Sequence, residues 1–65
     1  MLISVNGVEK KVESELIVSR LVSELKLTGR FAIEINGEIV PKSSYLKKIL
    51  KENDRIEIVS AVGGG

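Results

Sequence analysis

Cysteine and histidine are both missing from the 65-residue sequence, and their absence excludes several kinds of site. Without cysteine the chain has no disulfide, no thiolate ligand for zinc and no thiol nucleophile of its own. Without histidine it lacks the usual general base and the commonest metal ligand. We therefore expect a fold stabilised by aliphatic packing, with no metal site.

Aromatic side chains and excess charge of either sign are scarce as well. Phe31 and Tyr45 are the only aromatic residues, too few for a surface on which nucleic-acid bases stack. Ten basic and nine acidic residues give a net charge of +1, and lysine and glutamate are interspersed. Interspersed charges are typical of an ordinary solvated surface and do not form the basic patch that binds nucleic acid. Nucleic acid is therefore not an expected partner.

Long apolar runs are absent too. No stretch approaches the roughly 20 residues needed to cross a bilayer, and the N-terminus lacks the basic lead and apolar core of a signal peptide. We expect a cytoplasmic protein without a membrane partner. What is present, 43% hydrophobic and 29% charged residues, is typical of one small globular domain.

The sequence ends in Gly63-Gly64-Gly65, which is its most unusual feature. Glycine has no side chain to pack and loses the most conformational freedom on ordering. We therefore predict a folded domain over 1–62 and a flexible tail over 63–65. The tail is either an inert linker or cloning remnant, or a thin thread that presents a reactive carboxylate to another protein's active site.

A first hairpin is predicted at Asn6-Gly7, because Asn-Gly readily adopts the two positive φ angles of a type I′ turn. It joins the alternating segments 1–5 and 8–12. Lys10 falls on the apolar side of the return strand, so we expect that strand near a sheet edge.

A second hairpin is predicted at Asn36-Gly37 by the same turn chemistry. It joins the segments 31–35 and 38–40, of which the first alternates with apolar residues facing inward. Pro41 ends the return strand, because proline has no N–H to donate to a neighbouring strand.

A helix is predicted between the hairpins, because apolar residues recur there at i, i+3, i+4 and i+7. Its start is poorly marked, since Ile17 precedes the stripe and isoleucine is a poor N-cap. Its end is expected with Lys26 in the last turn and Gly29 just beyond. The stripe consists of Val18, Leu21, Val22 and Leu25.

A short helical turn, opened by Ser43 or Ser44, is predicted after the second hairpin. Its apolar residues are Tyr45, Leu46, Ile49 and Leu50.

The last predicted strand is 55–60, with Ile56 and Ile58 facing the core. Val59 then points to the opposite face of the sheet, which should be exposed to solvent. Because it lies immediately before the tail, we interpret Val59 as a contact for a partner protein.

The predicted order of strand, strand, helix, strand, strand, short helix, strand indicates an α+β fold, in which one helix covers one face of a small mixed sheet. The sequence has no phosphate-binding loop, and a cleft that excludes water is not expected at this size. Glu13 and Glu15 form a near pair of carboxylates, which we expect to be exposed and ionised. We predict that the chain is not an enzyme.

These segments together resemble the sulfur carriers of the ubiquitin-like β-grasp family, and most of all those of the thiamine pathway. The block Asn-Gly-x-x-Val-Pro-Lys at 36–42 and the Gly-Gly ending are the most specific parts. Two departures, Asn53 where the family usually has glycine and Ile17 where it often has threonine, affect folding detail only. The matching segments are 3–7, 18–25, 32–42, Tyr45, 54–59 and 62–65.

The resemblance implies that a ubiquitin-activating-type adenylyltransferase adenylates Gly65, and that persulfide sulfur drawn from cysteine, as by a cysteine desulfurase, converts it to a thiocarboxylate. Thiazole synthase then takes the sulfur for the thiazole of thiamine. ATP is bound by the partner, so the carrier itself needs no cofactor. The implied roles are modification at Gly65, threading of Gly63 and Gly64 into the partner site, and partner contact at Val59, Ala61 and Val62.

Other readings of the same features stay open. A β-grasp carrier of another pathway, such as the small subunit of molybdopterin synthase, also ends in Gly-Gly. A ubiquitin-like modifier joined to target lysines would have a similar tail. A small binding domain with an inert tail is the simplest alternative.

Overall fold

Residues 1–60 of the chain are described by a computed structural model. The elements in chain order are β1 Leu2–Val5, β2 Val8–Lys11, α1 Val18–Glu24, β3 Phe31–Ile35, β4 Glu38–Val40, a 3₁₀ helix Lys42–Ser44 and β5 Arg55–Ser60.

Both predicted hairpins are present, and each turn has the backbone that Asn-Gly favours. Asn6 and Gly7 have φ of 50° and 84°, and Asn36 and Gly37 have φ of 52° and 87°. Two consecutive positive φ angles match the right-handed twist of the flanking strands. Every residue of β2 is exposed, and β2 lies at one edge of the sheet, which confirms the position inferred from Lys10.

The five strands form one mixed sheet in the order β2-β1-β5-β3-β4. The last strand, β5, lies in the middle, parallel to β1 and antiparallel to β3. Two hairpins flanking a central C-terminal strand, with one helix packed across, make the β-grasp arrangement that the sequence predicted.

The core lies between α1 and one face of the sheet. Val18 and Leu21 of the helix are buried together with Ile3, Ile33 and Ile56 of three neighbouring strands. Val22 and Leu25, the other members of the predicted stripe, are partly buried against this cluster. The apolar periodicity therefore identified the buried side of the helix correctly.

The helix ends earlier than predicted, and a lysine takes the place expected of glycine. Leu25 is the C-cap, and Lys26 has a left-handed φ of 56° outside the helix. Lys26 N–H donates to the Ser23 carbonyl at 3.1 Å, and Leu27 N–H donates to the Val22 carbonyl at 3.2 Å. These are the two bonds of a Schellman motif, so the predicted end at Gly29 was wrong.

The segment after β4 is a 3₁₀ turn that begins directly after Pro41. Tyr45 is buried as predicted, whereas Leu46 is 77% exposed and Ile49 48% exposed. The 3₁₀ helix ends at Ser44, so Leu46 and Ile49 lie beyond it and the expected helical spacing does not hold there.

Backbone bonds attach this segment to the start of α1. Val18 N–H donates to the Lys48 carbonyl and Ser19 N–H to the Tyr45 carbonyl, both at 2.9 Å. Leu50 N–H donates to the carbonyl of Leu16, which is almost fully buried and which the periodicity did not identify. Ile17 is the N-cap and its side chain makes no capping bond, so these main-chain contacts satisfy the helix start instead.

Candidate functional site

The candidate site comprises the end of β5 and the residues that follow it. Val59 lies on β5 and is 62% exposed, on the face of the sheet away from α1, as predicted. The other predicted site residues lie outside the described residues 1–60; they are Ala61, Val62, Gly63, Gly64 and Gly65.

The neighbour β3 pairs with β5 along its whole length. The register runs from Ile35 opposite Ile56 to Phe31 opposite Ser60. The other neighbour, β1, stops earlier, because its last pair is Val5 with Ile56. The last residues of β5 therefore have a strand partner on one side alone within the described part of the chain.

Asn6 occupies the place beside β5 where β1 has turned away. Its backbone N–H donates to the Ile56 carbonyl at 2.8 Å. Its side-chain Oδ1 accepts from Ile58 N–H at 2.7 Å, and Nδ2 donates to the Ile58 carbonyl at 3.3 Å. One side-chain amide thus pairs with both polar groups of one residue of β5, as a neighbouring strand would.

Asn36, in the second hairpin turn, holds the beginning of β5 in a related way. Its backbone N–H donates to the Arg55 carbonyl at 2.8 Å, and its Oδ1 accepts from Arg55 N–H at 2.9 Å. Its Nδ2 donates to Asp54 Oδ1 at 3.0 Å. The two Asn-Gly turns therefore hold the central strand from opposite sides, Asn36 at its first residue and Asn6 at Ile56 and Ile58.

The face of the sheet away from α1, which we call the outer face, carries a mixed surface around Val59. Ala32 of β3 lies opposite Val59, and Glu34 lies opposite Glu57 two pairs further along the two strands, on the same face. Ile39 of β4, which is 70% exposed, lies opposite Glu34 on its other side. Exposed apolar residues therefore flank two carboxylates that face each other.

Neither Glu34 nor Glu57 is neutralised within the described residues. The single ion pair of residues 1–60 joins Arg20 to Glu24 on α1, at 3.8 Å. Like charges placed directly opposite on neighbouring strands repel each other. A basic group brought by another molecule would relieve this repulsion.

Residues 1–60 contain no group of three acidic, histidine or cysteine side chains arranged to hold a metal ion. One surface depression, between β4 and the 3₁₀ helix, is lined by residues that include Ile39, Pro41 and Lys48. No helix within 1–60 has the length and apolarity needed to span a bilayer.

The side chains of Asn6, Asn36 and Asp54 are the functional neighbours of β5 that sequence reasoning missed. Both Asn-Gly pairs were interpreted as turns only, since the local pattern explains the residue type fully. Nothing local indicates that each amide reaches a strand at least 18 residues away along the chain. The prediction of the turns was correct and incomplete.

Comparison with solved structures places the fold among proteins of thiamine biosynthesis. The crystal structure of the thiamine biosynthesis protein ThiS from Geobacter metallireducens superimposes with a TM-score of 0.86, at 30% identity, over all of both chains. The solution structure of a thiamine biosynthesis protein from the same organism superimposes with a TM-score of 0.82, at 30% identity, over this whole chain and 88% of that one.

Two sequence relatives are also similar to this chain. A thiazole synthase of Paramagnetospirillum magneticum is 41% identical over 66 residues, and this chain spans 20% of its length. The uncharacterised protein ycf40 of Porphyra purpurea is 31% identical over 64 residues, which are 97% of this chain and 90% of that protein. The model of the ThiS family matches residues 3–65, and the chain therefore belongs to that family.

Proposed function

We propose that this chain, a sulfur carrier of thiamine biosynthesis through its membership of the ThiS family, carries its sulfur on the C-terminal carboxylate of Gly65. The observation that supports this most is the position of β5. The central strand of the sheet, held by both Asn-Gly turns, runs to Ser60, five residues before that carboxylate. The domain thus provides a rigid support directly in front of the reactive end.

The chemistry begins with activation, because a carboxylate is a poor electrophile. A carboxylate oxygen attacks the α-phosphorus of ATP, pyrophosphate leaves, and the acyl-adenylate forms. The terminal sulfur of a persulfide then attacks the carbonyl carbon, and AMP leaves with the electron pair of the broken C–O bond. A second thiol cleaves the resulting acyl disulfide, which releases the thiocarboxylate and a disulfide of the two thiols.

Glycine suits this chemistry at the end of the chain. No side chain shields the carbonyl of Gly65 from the attacking groups, and Gly63 and Gly64 allow the backbone to pass through a narrow channel. The carrier supplies no thiol nucleophile and no imidazole base of its own, since it has neither cysteine nor histidine. We therefore infer that the carrier is a co-substrate of its partner enzymes and is not itself an enzyme. We also infer that the activating partner binds the ATP.

Three partners follow from this reaction: a ubiquitin-activating-type adenylyltransferase, a sulfur donor such as a cysteine desulfurase, and thiazole synthase as acceptor. The thiazole synthase of Paramagnetospirillum magneticum supports the last, because a segment of that protein aligns with the whole of this chain. Because the reaction uses ATP and cysteine sulfur, we infer that the chain acts in the cytoplasm.

The outer face is the proposed contact surface for the activating partner. Val59 lies on it at the end of β5, and Ala61 and Val62 would continue the contact toward the tail. A complementary partner surface is apolar where it meets Val59 and carries a basic group where it meets Glu34 and Glu57. Such a group would remove the like-charge repulsion described above.

Intact mass spectrometry tests the proposal. The chain is incubated with an adenylyltransferase of the family, ATP and a persulfide donor, and a parallel sample lacks Gly65. Exchange of one oxygen for sulfur in the full chain, without change in the shortened one, is the expected result. A covalent adduct with lysines of other proteins would establish a modifier instead, and an unchanged mass with an adenylyltransferase active on its own carrier would overturn the proposal.

A further inference from the structure

The side chain of Asn6 takes the place of a neighbouring strand on the side of β5 where β1 has ended. Ladder pairing between β1 and β5 ends at Val5 and Ile56, and the chain of β1 then turns at Asn6. Along β5, alternate residues present their polar groups to the same edge. Ile56 uses its carbonyl for Asn6 N–H, and Ile58 is the next residue on that edge.

Both polar groups of Ile58 are satisfied by the amide of Asn6, at 2.7 Å and 3.3 Å. The amide has the donor and acceptor geometry of a peptide group, so it extends the β1 side of the sheet by one residue without extending the strand. Val59 and Ser60 are the described residues that follow. On the other side, β3 ends level with Ser60, where Phe31 lies opposite.

We propose that Asn6 is a positioning residue that fixes the direction in which β5 ends, and thereby the direction in which the chain leaves the domain toward Gly65. The inference rests on the proposed function, because it concerns how the tail meets the activating partner. Without the amide, the end of β5 would be restrained by β3 alone and could tilt about that pairing. The tail would then enter the partner's site less often, although its chemistry would be unchanged.

Asn36 provides a matched control. It has nearly the same backbone, with φ of 52° against 50° for Asn6, and it also precedes glycine in a hairpin turn. Its side chain holds Arg55 and Asp54, at the start of β5. Substitution of either asparagine by glycine preserves the positive φ and removes only the side-chain bonds.

The first measurement needs no partner. One-bond N–H residual dipolar couplings are recorded for Val59 and Ser60 in the wild type, Asn6→Gly and Asn36→Gly, each at the same interval below its melting temperature. We expect smaller couplings for both residues in Asn6→Gly and wild-type values in Asn36→Gly. Unchanged couplings in Asn6→Gly would overturn the inference whatever the function of the protein.

The second measurement is ATP–pyrophosphate exchange by the adenylyltransferase, with the carrier as varied substrate. Asn6→Gly should raise KM for the carrier by roughly fivefold, the factor that one hydrogen bond commonly supports, with kcat nearly unchanged. Asn36→Gly should lower the melting temperature and leave KM unchanged. Equal effects of the two variants on KM would show that Asn6 has only a structural role and would overturn the inference. Absence of exchange with the wild type would instead refute the proposed function.

Discussion

Asp54 accepts two hydrogen bonds at the entrance to the central strand, one from Asn36 Nδ2 at 3.0 Å and one from the backbone N–H of Lys51 at 2.8 Å. Asp54 is buried, with only 8% of the residue exposed. It therefore joins the turn of the second hairpin to the loop before β5, and it sets where the central strand begins. A buried carboxylate is retained at low cost when its oxygens are satisfied in this way.

Replacement of Asp54 by alanine should destabilise the domain by about 2 kcal/mol, because two partly buried hydrogen bonds to a charged acceptor are lost. For a domain of this size that corresponds to a fall in melting temperature of about 10 °C. Thermal unfolding followed by circular dichroism measures the effect. Glu13→Ala, which removes an exposed carboxylate, is the control and should leave the melting temperature nearly unchanged. Equal melting temperatures for the two variants would show that the Asp54 bonds contribute nothing.

Glu57→Gln should stabilise the domain by about 0.3 kcal/mol, because it removes the repulsion from Glu34 directly opposite on β3. Urea denaturation at low and high salt measures the gain, which should shrink at high salt as the repulsion is screened. Glu34→Gln should give a similar gain. The double variant should be no more stable than either single variant, because each single change already removes the repulsion. Additive effects of the two changes would mean that the carboxylates do not interact.

The sequence predicted the architecture well because both of its signals are local. Alternation and Asn-Gly pairs located the hairpins, and the 3.6-residue stripe located the helix, each from neighbouring residues. The order of the strands in the sheet, and the grip of Asn6 on Ile58, depend on contacts between distant segments, 52 residues apart in the latter case. The periodicity of the sequence contains no information on such long-range contacts, so they could be identified only from the structure.

The errors have local causes as well. Glycine was expected to end the helix at 29, yet Lys26 adopts the left-handed conformation two residues after Glu24. This conformation has a moderate steric cost in free energy for any residue with a β-carbon. A helical turn was expected to continue through Leu46, yet the 3₁₀ helix ends at Ser44 and Leu46 is exposed. The tail was predicted from composition and chemistry alone, and its residues 61–65 lie beyond those that the structure describes.

Val59→Asp should weaken binding to the activating partner without unfolding the domain. The side chain is 62% exposed and lies on the outer face, so a charge there meets water in the free protein and an apolar surface in the complex. Isothermal titration with the adenylyltransferase should show at least a tenfold rise in Kd, about 1.4 kcal/mol.

The matched control for Val59→Asp is Val8→Asp. Val8 is equally apolar and 68% exposed, yet it lies at the start of the edge strand β2. This variant should bind with wild-type affinity. Loss of the folded circular dichroism spectrum in Val59→Asp would show that Val59 belongs to the core and that its assignment to the outer face is wrong.

Lys26→Gly should stabilise the domain by about 1 kcal/mol, because glycine adopts a φ of 56° without the steric penalty that a β-carbon brings. The Schellman bonds at this position use backbone groups only, so they survive the substitution. Urea denaturation measures the gain as a higher midpoint with the same slope. Lys10→Gly is the control, because the same exchange in an extended strand removes β-propensity and should lower the midpoint. A midpoint for Lys26→Gly at or below that of the wild type would indicate that the lysine stem contributes packing that outweighs the backbone strain.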